Sequence, residues 1–570
     1  MRILLLSHSF NSLTQRLFEE LSVRGHELSV EFDIADSVTE EAVALFQPDV
    51  VLAPFLKRAI PESVWASRLC LIVHPGIVGD RGPSALDWAI HRGMAEWGVT
   101  VLQAEAEMDA GSVWACAGFS MRAATKASLY RNEVTEAAVI AVLAALGQVD
   151  DWRAGRWRPV RPAAADPSVL GCWQPALRQA DRAIDWARDD TASILARLRA
   201  ADGFPGVADA LFGVPCHLFD AHRGPVQAGA VPGQLIARRD GAVLRATRDG
   251  AVWIGHVKRG DGEAALKLPA MVAFAAEAAS LPERSAGLWR DVSDDGAELR
   301  YREDGVVGFL SFDFYNGAMS TEQCRRLLAA IDFARSRPTR VLVLEGGADF
   351  WSNGIHLNRI ENAESAADAS WANINAMDDV CLAILQLTDR LTVAALRGNA
   401  GAGGCFLALA ADRVWARQGV ILNPHYKNMG NLYGSEYWTY LLPRRIGVDG
   451  ARKLMAERLP LGAPRAAQSG LIDASFGASR AVFELEVAGR AAALASAPDY
   501  AGQVATKQIR RAADEAAKPL AAYRDEELIH MRRNFYGFDP SYHGARYHFV
   551  MKSPQSWTPR HLAVHREIKR

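Results

Sequence analysis

A chain of 570 residues exceeds what one hydrophobic core organises, and its size predicts roughly three or four domains. Its formal charge of −2, from 64 Lys and Arg against 66 Asp and Glu, leaves no broad basic footprint for nucleic acid, which argues against a tRNA substrate. The seven cysteines, at 70, 116, 172, 216, 324, 381 and 405, form no C-x-x-C pair and no His–Cys cluster, so a reduced, cytoplasmic protein with no metal site is expected.

The chain opens Met-Arg-Ile-Leu-Leu-Leu and runs at once into Ser-His-Ser, too short an apolar core for a signal peptide. Residues 1–158 then alternate apolar runs (Ile3–Leu6, Leu28–Phe32, Val50–Ala53, Leu71–Val73, Val99–Leu102) with helical segments such as Leu13–Arg24. That alternation predicts an α/β domain, a parallel sheet wrapped by helices with ligand loops at the carboxyl ends of its strands. His74 lies at such an end, in His-Pro-Gly-Ile-Val-Gly-Asp-Arg-Gly, and Met-Asp-Ala-Gly further on presents Asp109. A histidine and a carboxylate on separate loops can meet over one carbonyl, which is acid/base equipment for acyl chemistry.

These segments resemble enzymes that move or hydrolyse the formyl group of 10-formyltetrahydrofolate. Their "N-x-H-P-S-L-L-P-x-x-R-G" loop falls on Ile72 to Gly82, their "G-x-T" turn on Gly98-Val99-Thr100, and their "D-x-G" loop on Asp109-Ala110-Gly111. The resemblance implies catalytic roles for His74 and Asp109, and folate contacts from Phe55, Leu56, Lys57, Ile72 and Arg81. The family's catalytic Asn falls on Ile72, whose side chain donates no hydrogen bond.

Pro-rich residues 159–167 read as a linker. In 168–275, Ile184-Asp185-Trp186, a helix-like Ile194–Ala201 and Gly-Phe-Pro-Gly (203–206) precede short strands at Gly233–Ala237, Ala242–Thr247 and Val252–Val257. This resembles the small OB-like barrel that follows the catalytic domain in methionyl-tRNA formyltransferases.

Beyond Leu281–Arg290, buried strand runs at Val306–Phe312, Val341–Glu345 and Leu391–Ala395 enclose helix-like Ser320–Arg335 and Ala376–Leu387. The most apolar window, Leu391–Ala411, is interrupted by Arg397, Asn399 and several glycines, so no membrane span is expected. Trp351-Ser352-Asn353-Gly354-Ile355-His356-Leu357 resembles "F-x-x-G-x-D-L" and Gly398 to Cys405 resembles "G-x-A-x-G-G-G" of the crotonase (enoyl-CoA hydratase/isomerase) superfamily. The resemblance implies a crotonase-fold domain over 290–570 with a C-terminal helical extension, and coenzyme A as a ligand. It also assigns the two thioester oxyanion donors to the N–H groups of Ile355 and Gly403.

The hydratase carboxylates are missing: Phe406 follows Cys405, and Asn423–Trp438 replaces the plainer stretch that carries the second. Dense Tyr, Asn and Glu beside an oxyanion loop suggest a rebuilt acid/base site, with Glu436 as proton carrier, Tyr426 as hydrogen-bond donor and Asn316 as a further member. The combination of all three parts is similar to the HypX (HoxX) family of hydrogenase maturation proteins. That resemblance implies formyl transfer from 10-formyltetrahydrofolate to coenzyme A, then decarbonylation of formyl-CoA to carbon monoxide for the [NiFe] hydrogenase iron. The implied recipients are the hydrogenase iron-cyanide scaffold proteins. Two alternatives stay open: a bifunctional formyltransferase making a stable product with a CoA-binding crotonase part, and a non-catalytic scaffold for a maturation partner.

Overall fold

The computed structural model describes residues 1–161, 169–260, 265–289 and 295–567, so most of the expected 159–167 linker lies outside the described residues. The chain divides into two compact units. One holds Met1–Ile236, Leu244–Asp261 and Pro554–Arg570; the other holds Ala237–Val243 and Gly262–Ser553.

The first unit is built on strands β1 (Arg2–Ser7), β2 (Glu27–Phe32), β3 (Val50–Phe55), β4 (Cys70–His74), β5 (Glu96–Gln103) and β6 (Val113–Ser120), in the order β2-β1-β3-β4-β5-β6. The first four are parallel, as the alternation predicts, but β5 runs antiparallel to β4 and β6 antiparallel to β5. For β6 the reason is connection length: residues 104–112 between β5 and β6 are too few for a crossover, whereas antiparallel strands need only a turn. The helix Thr135–Gly147 packs on β5 and β6. It belongs to Lys126–Arg153, a helical run long and apolar enough by composition to cross a membrane, although 56% of its most apolar window is buried inside the protein. Strands β7 (Val207–Leu211), β8 (Val214–Gly224) and, after β9 (Leu235–Arg239) and β10 (Ala242–Ala246), β11 (Ala251–Arg259) pair antiparallel as β7-β8-β11. The division between the units falls within β9 and β10.

The tail also departs from expectation. Residues 554–570 join the first unit instead of extending the crotonase part. Strand β2 is an edge of its sheet, and an edge with open N–H groups needs a cover. Val30 N–H donates to Leu562 O (2.9 Å) and Phe32 N–H to Thr558 Oγ1 (2.8 Å). The buried Glu31 between them is held by His565 Nε2 at 3.0 Å and Arg566 Nε at 2.8 Å.

In the second unit, β12 (Lys267–Pro269) precedes β13 (Leu299–Asp304), β14 (Val307–Phe312) and β15 (Val341–Glu345). There follow β16 (Phe350–Ser352), β17 (Leu391–Leu396), β18 (Asn399–Gly401), β19 (Arg413–Arg417), β20 (Ile421–Asn423), β21 (Leu461–Gly462) and β22 (Ala474–Phe476). Strands β13 to β22 form one sheet in the order β13-β14-β15-β17-β19-β22 and a smaller one, β16-β18-β20-β21. Alternate residues feed opposite cores: Leu342 and Leu344 join Phe312, Trp351 and Phe406 on one face, while Val341 and Val343 join Phe309, Trp415 and Phe483 on the other. A strand buried on both faces reads as a continuous apolar run, as β15 does. The helix expected at Ala376–Leu387 begins earlier, spanning Ala366–Leu385 from an N-cap at Ser365. Its first half is polar, yet Ser370 and Asn373 are buried there, so composition hid it.

Candidate active sites

The first centre forms at the end of β4. His74 Nε2 lies 3.0 Å from Asp80 Oδ1, and its Nδ1 lies 3.7 Å from Asp109 Oδ1. The imidazole thus sits between two carboxylates. Asp109 holds a left-handed backbone (φ 55°), and its Oδ2 accepts the Gly82 N–H at 3.2 Å, which joins the two loops. Gly98-Val99-Thr100, expected as a turn, lies inside β5, and Thr100 Oγ1 donates to Gly76 O (2.8 Å). Gly76 cannot be enlarged, since a Cβ there would fall 2.5 Å from His74 Nε2 and 2.7 Å from Asp80 Oδ1.

A cavity of about 320 Å³ opens against Asp80, Asp109 and Arg81, with Cys172 and Trp173 on another wall. Arg81 pairs with Glu107 at 2.8 Å at its rim. Phe55, Leu56, Lys57 and Ile72 are not on its wall. Phe55 ends β3 with its ring 6.0 Å from that of His8, Leu56 and Ile72 pack on an apolar cluster, and Lys57 is exposed with its N–H bound to Asp33. Asp80 is the member that sequence reasoning passed over. Its signal was a carboxylate inside the His-Pro-Gly loop, close enough to fold back on the ring.

The second centre forms where β16 and β18 end side by side. Their parallel pairing brings the loop after each strand together, and Trp351 Nε1–H locks them by donating to Gly404 O (2.9 Å). Among the described residues neither the Ile355 N–H nor the Gly403 N–H has a protein acceptor. Two loops converge there: a Cβ on Gly354 would come within 3.5 Å of Gly403 N. His356 caps the helix Leu357–Glu361, its Nδ1 accepting the Arg359 N–H.

Glu436 reaches this point from the altered segment. A Cβ on Gly403 would lie 2.1 Å from Glu436 Oε1, so only glycine admits the carboxyl. Tyr426 O–H donates to Glu436 Oε2 at 2.6 Å, and its ring stacks on Phe406 at 5.3 Å. The position of the first hydratase carboxylate is therefore filled by an aromatic platform. Burial, and then the charges of Asp378 and Glu527, push the Glu436 carboxyl well above the usual carboxylate range, against the hydrogen bond from Tyr426, which lowers it. Burial and Glu436 push the Tyr426 phenol up as well. Asn316 is different: it is exposed, with φ 56°, and its carbonyl accepts Asn353 Nδ2 (2.8 Å), supporting the loop that carries Ile355.

Comparison with known proteins supports both halves. Residues 22–146 match the formyl transferase family model, 176–267 the formyl transferase C-terminal domain, and 315–558 enoyl-CoA hydratase/isomerase. The hydrogenase maturation factor HoxX of Bradyrhizobium diazoefficiens is 57% identical over 566 residues, 99% of this chain and 97% of its own. The chain belongs to the HoxX/HypX family of hydrogenase maturation factors. HypX of Aquifex aeolicus, solved in complex with tetrahydrofolic acid, is 47% identical with a TM-score of 0.95, covering 100% of this chain and 99% of that one. A methionyl-tRNA formyltransferase of Variovorax paradoxus is 26% identical over 40% of the chain. The HoxX/HypX membership and the formyltransferase domains support a transferase enzyme.

Proposed function

We propose that this protein makes carbon monoxide for [NiFe] hydrogenase maturation in the cytoplasm, moving formyl from 10-formyltetrahydrofolate to coenzyme A and splitting formyl-CoA. The observation that carries the reading is Glu436 held against Gly403 by Tyr426 in a crotonase-fold domain whose first hydratase carboxylate position is Phe406. Water addition to a double bond has no acid/base pair there; removal of a formyl proton has one.

In the first centre, a thiolate attacks the formyl carbon while His74, aligned by Asp80 and Asp109, protonates the leaving folate nitrogen. The cavity beside Asp109 and Arg81 admits the formyl-bearing end of the donor. In the second centre, the N–H groups of Ile355 and Gly403 bind the formyl oxygen, each donor contributing about 10²–10³ in rate. The Glu436 carboxylate takes the formyl proton, the C–H pair stays on carbon as the carbon monoxide lone pair, and the C–S pair leaves with sulfur. The protonated Glu436 then returns the proton to the thiolate. The sum is formyl thioester to carbon monoxide plus thiol, with no external oxidant or reductant.

Hydrogenase iron-cyanide scaffold proteins are the recipients this reading names. Purified protein incubated with 10-formyltetrahydrofolate and coenzyme A tests it: carbon monoxide is expected, whereas a stable formylated product or formate alone rejects the second step, and no turnover favours a scaffold.

A further inference from the structure

Glu436 and Tyr437 both adopt left-handed backbone, with φ 60° and 59°. Consecutive non-glycine residues there cost of order 1–3 kcal/mol each and persist only when their surroundings over-determine them. Two buried acids from separate helices do so. Asp378, on Ala366–Leu385, accepts the Glu436 N–H (2.8 Å) and the Ser435 hydroxyl (2.9 Å). Glu527, on the helix Leu520–Tyr536, accepts the Tyr437 N–H at 3.0 Å and the Thr439 N–H at 2.8 Å. Both side chains are fully buried (0% exposed), and the nearest cation, Arg524, lies 3.5 Å from Asp378 and is shared with Asp379.

Neither acid bonds the Glu436 carboxyl; each grips the backbone on one side of it. We infer that Asp378 and Glu527 are positioning residues that fix Glu436 against Gly403 and, through their own charges, set how tightly it holds its proton. This rests on the reading of Glu436 as proton carrier. The other groups facing Glu436 are Tyr426 and Tyr437 from its own segment, Cys381 from the Asp378 helix and Cys324 from Thr321–Arg335. Burial raises all four, so they are neutral near pH 7. Burial pushes Asp378 up to about 7 and Glu527 to about 8, so the charge around Glu436 changes across the neutral range.

The test is the pH profile of carbon monoxide release from supplied formyl-CoA by the full chain. Its rising limb reports the carboxylate that removes the formyl proton. Asp378→Asn and Glu527→Gln keep an oxygen for the backbone N–H but remove a like charge beside Glu436. Each is expected to move the limb to lower pH by roughly one unit, while a merely structural loss lowers the plateau and leaves the limb in place. An unmoved limb in both variants overturns the inference. Should both variants fail to fold, infrared titration of the unaltered protein decides: protonated-carboxyl bands that disappear in coupled steps above about pH 6 are expected, and their loss below about pH 5 overturns it. Glu436→Gln separates the two levels. Retained carbon monoxide release there sinks the reading of Glu436 as proton carrier, whereas a dead Glu436→Gln with unmoved limbs sinks only the positioning role.

Discussion

Two groups of carboxylates, one in each unit, are held in opposite ways. In the first, Glu31 has His565 and Arg566, and Asp220 has His222 and His256 at 2.8 Å each. Those partners outweigh burial and hold both acids below the usual carboxylate range. In the second, Asp378, Glu436 and Glu527 crowd together where Arg524 lies 3.5 Å from Asp378, and burial drives all three up. Burial alone therefore does not decide the state of these acids; cations within reach weigh against it. Glu31 and Asp220 serve cohesion, whereas the three acids around Glu436 are left with little to offset their burial.

The sharpest break in this contrast is Glu436→Gln. It keeps shape and hydrogen bonding but cannot titrate, so carbon monoxide release from formyl-CoA falls by about 10²–10⁴. Formyl-CoA then accumulates from 10-formyltetrahydrofolate, read by mass spectrometry beside a haem-based carbon monoxide assay. His74→Ala or Asp109→Ala gives the mirror image, a loss of about 10²–10⁴ in formyl transfer with supplied formyl-CoA still split. Equal loss of both half-reactions in a folded variant would erase the division between the centres.

Tyr426→Phe removes one donor to a charged group, worth about 1.5–3 kcal/mol, and slows carbon monoxide release roughly 10- to 100-fold in single turnover. Ile72→Asn puts a hydrogen-bonding side chain on β4 two residues before His74, and formate release rises by up to about 10²-fold, the weaker end of acid/base effects. No rise in a stable variant means that water is excluded by other groups.

The smallest effect is on stability. Groups held above their unfolded values bind protons that the unfolded chain has released, so the second unit loses stability as pH rises from about 4 through the values near 7 and 8 of Asp378 and Glu527. Glu31 and Asp220 work the other way: their contribution is present above the unfolded values and drains as pH falls through the depressed ones. Thermal unfolding followed from pH 5 to 8 should show one transition falling with pH, and Asp378→Asn should flatten that slope. A transition indifferent to both would return the three acids to ordinary ionisation.

The sequence made the first centre legible because its residues sit in short loops with recognisable spacing, His74 and Asp109 among glycines that only a tight approach requires. Glu436 and Tyr426 were legible as a departure, a polar and aromatic run where a plain one belongs. The clamp was not. Asp378 stands beside Asp379 and Glu527 beside Glu526, and in each pair one member is fully buried while the other's side chain is 48% or 61% exposed. Helical packing alone chooses between neighbours of identical chemistry, and no local pattern records the choice. The same limit hid the first unit's closing segment, whose partner Glu31 lies 534 positions from His565.

That separation has a consequence for the order of events at synthesis. Everything in the second unit leaves the ribosome before the strand-edge cover of the first does, so the opening sheet waits with the N–H groups of Val30 and Phe32 without their tail acceptors and Glu31 without its cations. A chain stopped after Ser553 would carry a complete crotonase part and an unfinished, association-prone formyltransferase edge. Damage near the carboxyl end of this gene product would thus surface as failure at its amino-terminal half.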